Sequence, residues 1–382
     1  MKFFINLDKF NFLLNYNILP QNYFDGFHYY FYFCLLPFEL KSKLFNYLNE
    51  ESKNIFFDIF NINIPLYDLS ECDCVVDVLP VKETINTSII SSNETIEKQT
   101  ITFDILQAKS QNKKIILFQN SDDNSFSIPS FFDSDIILFT PSGYKNKKSK
   151  NIFGCPTANA DYFKDDFLDK QLTVGFCGQV KDYNECFHRF GCNTVEDAEK
   201  FYLENPKSDS KLFRYNVVNQ LKNYSYFDLI ERVFWGGING YDYISKDKTT
   251  PNKFKSEYID NLKNNLYSLC VRGAGNFSFR LQETFMMGRI PVLIDTECIL
   301  PFENEIPYKT NTVYVTKENS NNFTEIDKVI QNFHNSHTEK ELLNIQLSNR
   351  NIWVNYFKMD SSFNKTLDLI QRYEITSCSF FH

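Results

Sequence analysis

LCVRGAGNFSFRLQETFMMGRIPVLIDTECILPFENEIP, residues 269–307, is the stretch whose reading decides the architecture. It opens as a short apolar run from Leu269 to Val271, turns through Arg272, Gly273, Ala274, Gly275 and Asn276, and takes up helical spacing from Ser278. A second apolar run, Pro291 to Ile294, follows Gly288. Strand, glycine turn, helix and strand in this order imply parallel strands joined by a crossover helix, hence an α/β layer. Glycines after a strand let backbone amides approach an anion. A helix start capped by Ser278 supplies free N–H groups and the positive end of a dipole, so the turn is expected to seat a phosphate.

The same alternation extends on both sides. Strands are expected at 173–177, 232–235 and 313–315, and helices at 212–221, 254–264 and 279–287, with further helices through 357 and 369. Residues 193–210, rich in Asp, Glu and Lys, read as an insertion between the first strand of this half and its helix. The N-terminal half is less regular. CVVDVLPV (74–81), KIILFQ (114–119) and DIILFT (135–140) read as buried strands, 100–110 as a helix, and the apolar run 27–40 as strand then helix. The pattern loosens over 151–169. The expected domains are therefore 1–170, an acceptor-binding α/β domain, and 171–382, a donor-binding one, with a ligand cleft formed by the two.

Composition narrows the function. Apolar residues at 43% and charged residues at 23% are ordinary for a globular protein. The 40 Phe and 22 Tyr, alongside abundant Asn and Lys, read as genome bias. A net charge of −8 disfavours nucleic acid as a partner and leaves room only for a local basic site. No run of the sequence reaches the roughly 20 apolar residues of a membrane span, and Asp8 and Lys9 interrupt the N-terminal apolar run before a signal core forms. The ten cysteines lack the spacing of a disulfide framework, which points to reduced thiols and a cytoplasmic protein. Cys72 with Cys74, and Cys186, His188 and Cys192, lack the second ligand pair of a structural zinc site, so no metal is expected.

Eight arginines occur in the chain, and three of them, Arg272, Arg280 and Arg289, fall within the deciding stretch. Arg272 ends a strand at the usual ligand edge of an open α/β sheet, where a guanidinium can grip a diphosphate by two hydrogen bonds. Arg280 and Glu283 share a helix face, fitting a leaving phosphate and a ribose hydroxyl respectively. The same residues also read as a plain helix ion pair capped by a glycine turn.

With Arg272, Gly273, Ser278, Phe279, Arg280, Glu283, Gly288, Ile290, Pro291 and Val292 in this order and spacing, the sequence resembles the exostosin family of glycosyltransferases. The resemblance runs from about 173 to 307, including VGFCGQV (174–180). It implies two facing Rossmann-like domains, the GT-B type fold. It also implies a nucleotide-sugar donor, a UDP-sugar or a relative of it, held by the C-terminal half, inversion at the anomeric carbon, and no obligatory metal or cofactor. On this resemblance Arg272, Gly273, Asn276, Ser278, Arg280 and Glu283 surround the donor's phosphates and ribose. Gly175 and Gly178 face them from the loop after the domain's first strand; Arg214 is a second phosphate candidate, and Asp295 with Thr296 lines the pocket.

An inverting transfer needs one general base, expected from the acceptor half. Asp122 and Asp123, past the strand KIILFQ, are favoured over Asp77, although Asp-Asp-Asn is also a common solvated turn. The partners implied are a nucleotide sugar and an oligosaccharide or glycoconjugate acceptor, lipid-linked or protein-linked, with peripheral membrane contact compatible with the former. Two other functions fit the same sequence: a noncatalytic nucleotide-sugar or glycan binding module, and an epimerase or phosphorylase on the same scaffold.

Overall fold

The computed structural model describes residues 1–5, 31, 34–47, 53, 57, 59–62, 64–79, 107–108, 110–119, 136–145, 151–157, 160–180, 191, 193–194, 196–197, 200, 210–232, 250–273, 275–316 and 323–378. The chain divides into two compact units, and the α/β expectation holds in each.

The first unit comprises Met1–Ala160, Ile299–Phe302 and Tyr356–His382. Its sheet joins β1 (Phe3–Phe4), β2 (Cys74–Leu79), β3 (Lys114–Gln119), β4 (Ile136–Thr140) and β5 (Ile152–Gly154) in that order, every pair parallel. β3 and β4 are apolar almost throughout because both faces are covered, the usual state of a parallel sheet. One face packs with Phe31, Leu35 and Leu36 and with the last helix of the chain, through Met359, Phe363 and Ile370. α1 (Phe38–Tyr47) belongs to the same unit. The run expected to begin as a strand at 27 is helical at Phe31, Cys34 and Leu35. A continuous apolar run carries no periodicity to separate a buried strand from a buried helix. The expected helix 100–110 lies largely outside the described residues.

The second unit comprises Asp161–Cys298 and Glu303–Asn355. Its strands are β6 (Val174–Gln179), β7 (Phe227–Arg232), β8 (Tyr267–Cys270), β9 (Ile290–Ile294) and β10 (Val313–Val315), in the spatial order β10-β9-β8-β6-β7, all parallel. From β6 the chain steps outward to β7, then returns to the other side of β6 to lay down β8, β9 and β10. The connections therefore reverse direction between β6 and β8, and the carboxyl ends of strands at such a switch point form the ligand crevice of open α/β sheets. The helices are α2 (Ser210–Leu221), α3 (Thr250–Asn264), α4 (Arg280–Met286), α5 (Tyr308–Asn311), α6 (Phe323–Ser336) and α7 (Glu339–Ile352). A π-helical turn, Trp353–Phe357, leads to α8 (Met359–Cys378), which packs in the first unit.

Of the strand expected at 232–235 only Arg232 lies among the described residues, where it closes β7, Phe227–Arg232. β7 is half-exposed on its alternating positions, as an edge strand is, so its sequence FDLIER lacks the apolar density that drew attention to VFW.

Candidate functional site

β6 and β8 are in register for only two pairs, Val174 with Tyr267 and Gly175 with Ser268. On their other sides β6 keeps six registered pairs with β7, and β8 four with β9. Beyond Gly175 and Ser268 the ladder gives way to side chains at the switch point.

Arg280, the first residue of α4, fills the split. Its Nη2 donates to the Cys177 carbonyl of β6 and its Nη1 to the Leu269 carbonyl of β8, 3.4 Å away. The guanidinium carbon lies 4.2 Å from the Phe176 ring centre and 5.1 Å from that of Tyr258, a cation between two aromatic rings. Nε donates to the Tyr258 hydroxyl, at 3.4 Å, and that hydroxyl donates in turn to Glu283. Arg280, Tyr258 and Glu283 are all buried, at 7%, 2% and 2% exposure. Burial pushes the Tyr258 phenol well above its ordinary range, so it stays protonated and remains a donor to Glu283. Beside them, burial lifts the Cys270 thiol to about 12.

A second guanidinium spans the split nearer the carboxyl edge. Arg214 of α2 donates from Nη1 to the Gln179 carbonyl and from Nε to the Arg272 carbonyl, both at 3.0 Å. Arg272 itself follows β8 and is half-buried. At the end of β7, Arg232 pairs with Glu257 and lies 4.8 Å from the Phe254 ring. Four of the chain's eight arginines therefore meet three neighbouring strands of a net acidic chain, Arg232 and Arg272 from the strands' own ends and Arg214 and Arg280 by hydrogen bonds from α2 and α4.

Of the glycines, Gly273 makes room for one of these side chains. A β-carbon on Gly273 would stand 2.5 Å from Arg214 Nη2, and one on Gly178 would stand 3.4 Å from Arg280 Nη2. Gly175 and Gly178 lie within β6, not in the loop after it. A β-carbon on Gly175 would come within 2.7 Å of the Asn265 amide nitrogen of the chain segment closing α3, which explains that glycine by helix approach. Ser278 does not cap α4: the N-cap is Phe279, without a side-chain cap. The amides of Leu281, Gln282 and Glu283 are taken by the carbonyls of Ser278 and Phe279, so the expected open set of N–H groups is reduced. α4 ends instead as a Schellman turn. Gly288 at φ +60 donates to Phe285, and Arg289 to Thr284.

Around the rim, Asn276 is fully buried, accepting from the Thr296 hydroxyl at 2.7 Å. Asp295 accepts from the Glu297 amide at 2.8 Å and the Tyr314 hydroxyl at 2.7 Å. Arg289, the third arginine of the motif stretch, is placed elsewhere. It is 0% exposed and donates to the carbonyls of Lys263, Asp166 and Met287, tying the end of α3 to the segment before β6.

Asp77 lies within β2. Asp122 and Asp123 are outside the described residues. Seven cysteines, Cys34, Cys72, Cys74, Cys155, Cys177, Cys270 and Cys298, are buried and form no disulfide among the described residues. Among the described residues no group of three or more His, Cys, Asp or Glu is placed to hold a metal ion, and no helix is long and apolar enough to cross a membrane. Tyr258 and Arg232 are the participants that sequence reasoning passed over. Tyr258 is four residues from both Phe254 and Leu262, so it read as one more core position of an amphipathic helix.

Comparison with known proteins bears on this unit. Residues 208–330 match the model of the exostosin GT47 domain. A segment of 61 residues is 34% identical to a probable glucuronosyltransferase from Oryza sativa subsp. japonica, covering 16% of this chain and 15% of that protein. The matched domain contains Arg214, Arg232, α3, β8, Arg272, Arg280 of α4 and Asp295, while β6, the other side of the split, precedes it. Two parallel-sheet units of Rossmann-like kind accord with the GT-B type of fold to which that family belongs. Over residues 208–330, which include the whole motif from Leu269 to Pro307, the chain is exostosin-like.

Proposed function

We propose that this protein is a glycosyltransferase that binds a nucleotide-sugar donor, a UDP-sugar or a close relative, at the carboxyl edge of the second unit's sheet and passes the sugar to a glycan acceptor. One observation carries the reading: Arg214, Arg272 and Arg280 gather where β6 and β8 part, inside the exostosin-matching segment. A nucleoside diphosphate leaves with its negative charge concentrated on the phosphates, and preorganised guanidinium groups in a site of low dielectric lower the cost of that departure. Arg272 is the group assigned to the phosphates. Gly273, Asn276, Ser278 and Asp295 form the rim, and Glu283 bears on the ribose side through Tyr258.

In this reading the transfer inverts the anomeric carbon and proceeds with no obligatory metal, the arginines carrying the charge stabilisation. Asp122, Asp123 or Asp77 of the first unit removes the acceptor's proton as its oxygen attacks. Ten cysteines without the spacing of a disulfide framework support a cytoplasmic setting.

The test is thermal stabilisation of the purified chain by a panel of nucleotides and nucleotide sugars. A ligand at 100 times its Kd should stabilise the fold by about 2.7 kcal/mol. UDP or another nucleoside diphosphate should raise Tm, and Arg272→Ala should abolish the rise. A wild-type chain unmoved by every nucleotide would remove the donor site from consideration.

A further inference from the structure

We propose that Arg214 and Arg280 are positioning residues. They form two guanidinium rungs that take over from the β-ladder where β6 and β8 separate, hold the crevice open, and present Arg272 to its ligand, with Tyr258 as the pin that fixes the lower rung. The inference rests on the donor reading above and deepens it, because it separates the arginine that touches phosphate from those that act through it.

The geometry is specific. Arg280 joins Cys177 to Leu269, and Arg214 joins Gln179 to Arg272, so each guanidinium ends on one carbonyl of β6 and one of β8 or its continuation. Cys177 and Gln179 are two residues apart, the spacing at which a strand repeats its orientation. Carbonyls at the mouth of a split sheet need donors, and a planar fork with five N–H groups can serve two strands that stand too far apart to serve each other. The Arg214 fork is fitted by the absence of a side chain at Gly273, where a β-carbon would stand 2.5 Å from Nη2, whereas a β-carbon on Gly178 would make only ordinary contact with Arg280 at 3.4 Å.

Arg280 is sandwiched between Phe176 and Tyr258 and buried, so it has little freedom to swing toward a ligand. The Tyr258 hydroxyl stands between the guanidinium and the Glu283 carboxylate, accepting from one and donating to the other. Without that hydroxyl, the bridge between the guanidinium and the Glu283 carboxylate is gone, and Arg280 is held less firmly on the two carbonyls. Arg214 differs in being half-buried, yet its hold on the Arg272 carbonyl fixes the backbone from which the phosphate-facing side chain projects.

The test uses the full chain with UDP as the probe. Arg214→Lys keeps the positive charge but puts all its donors on one nitrogen, in place of the planar fork whose separate Nε and Nη1 reach the Arg272 and Gln179 carbonyls. Measured by calorimetry well below the melting transition, it should weaken UDP binding about tenfold, the scale on which a misplaced binding group is felt. The salt dependence of binding should stay as in the wild type, since the phosphate contacts are the same in number. Arg272→Ala should instead lower both affinity and salt dependence. Tyr258→Phe should accelerate amide hydrogen exchange in 176–179 and 269–272 and weaken UDP binding in step.

Wild-type affinity in Arg214→Lys would overturn the upper rung, because charge alone would then suffice. Unchanged exchange in Tyr258→Phe would overturn the pin, and a fall in Tm without any change in Kd would reduce both residues to plain structural roles. If the wild-type chain binds no nucleotide, the donor reading falls, while the exchange comparison still decides whether the rungs hold the strands.

Discussion

At the scale of single residues, three glycines show how one absence of a side chain can mean three things. A β-carbon on Gly154 would lie 2.5 Å from the carbonyl carbon of Leu300 and the nitrogen of Pro301, both backbone, which cannot yield. Gly154→Ala should therefore cost the first unit about 3 kcal/mol, the upper range for an overpacked interior, read by urea unfolding. On Gly273 the obstructing atom is the far end of Arg214, which can move. Gly273→Ala should unfold within about 1 kcal/mol of the wild type, the level of an ordinary surface change, yet lose UDP affinity as Arg214 is pushed from its carbonyls. Gly288 stands at φ +60, where a β-carbon is strained by backbone conformation alone. The strand-turn-helix reading placed Gly273 in a turn and Gly288 ahead of the second apolar run, whereas nothing in the sequence singled out Gly154. It could not distinguish a glycine that admits an anion from one that admits a guanidinium, because the partner, Arg214, is 59 positions away from Gly273 and only the sheet brings them together.

At the scale of elements, local chemistry is most legible where a helix end closes on itself. Thr338 and Glu341 form a reciprocal capping box at the start of α7: the Thr338 hydroxyl accepts from the Glu341 amide, and the Glu341 carboxylate accepts from the Thr338 amide at 2.7 Å. The Thr338 backbone N–H, and after it the Thr338 hydroxyl, hold the Glu341 carboxyl below its ordinary value of 4.5. A depressed carboxyl contributes stability above its unfolded value and loses it as pH falls through the folded value. Lowering the pH from about 6 to about 3 should therefore reduce the Tm of the wild type more than that of Glu341→Gln, a difference read by circular dichroism. Equal pH slopes for the two would exclude the carboxylate from the cap. Thr338→Ala should cost about 1 kcal/mol at neutral pH. The start of α4 was misplaced for the opposite reason. Ser278 has the right residue type for a cap, but the chain closes a turn through the Ser278 and Phe279 carbonyls, and what fixes α4 is the long-range seating of Arg280 between β6 and β8.

At the scale of the whole molecule, the described residues build a main buried cluster in each unit, with a further one around Val75, Ile115 and Leu138 in the first, and sequence order does not follow them. The first core gathers Phe31, Phe118 and Phe139 with Met359, Phe363 and Ile370 from the last helix; the second gathers Val174, Leu269, Val292 and Val313. Alternating strands and helices were enough to foresee two α/β layers, whereas the return of the last helix was not legible, because its apolar face suits any sheet of matching shape. Phe363 is 2% exposed and its ring centre lies 5.1 Å from that of the fully buried Phe31. Removing the ring should cost about 3–5 kcal/mol, as large-to-small changes in a close-packed core do. With separate clusters in the two units the loss should be local in kind: Phe363→Ala should speed amide exchange in β3 and β4 while that in β8 and β9 keeps its wild-type rate, since neither of the latter strands shares a buried cluster with the altered side chain. Melting should then resolve into an early transition that UDP does not shift and a later one that it does, because a ligand stabilises only the cooperative unit that binds it. A single transition, moved by UDP in both variant and wild type, would mean that the cores unfold as one, and the donor crevice would then draw its stability from both.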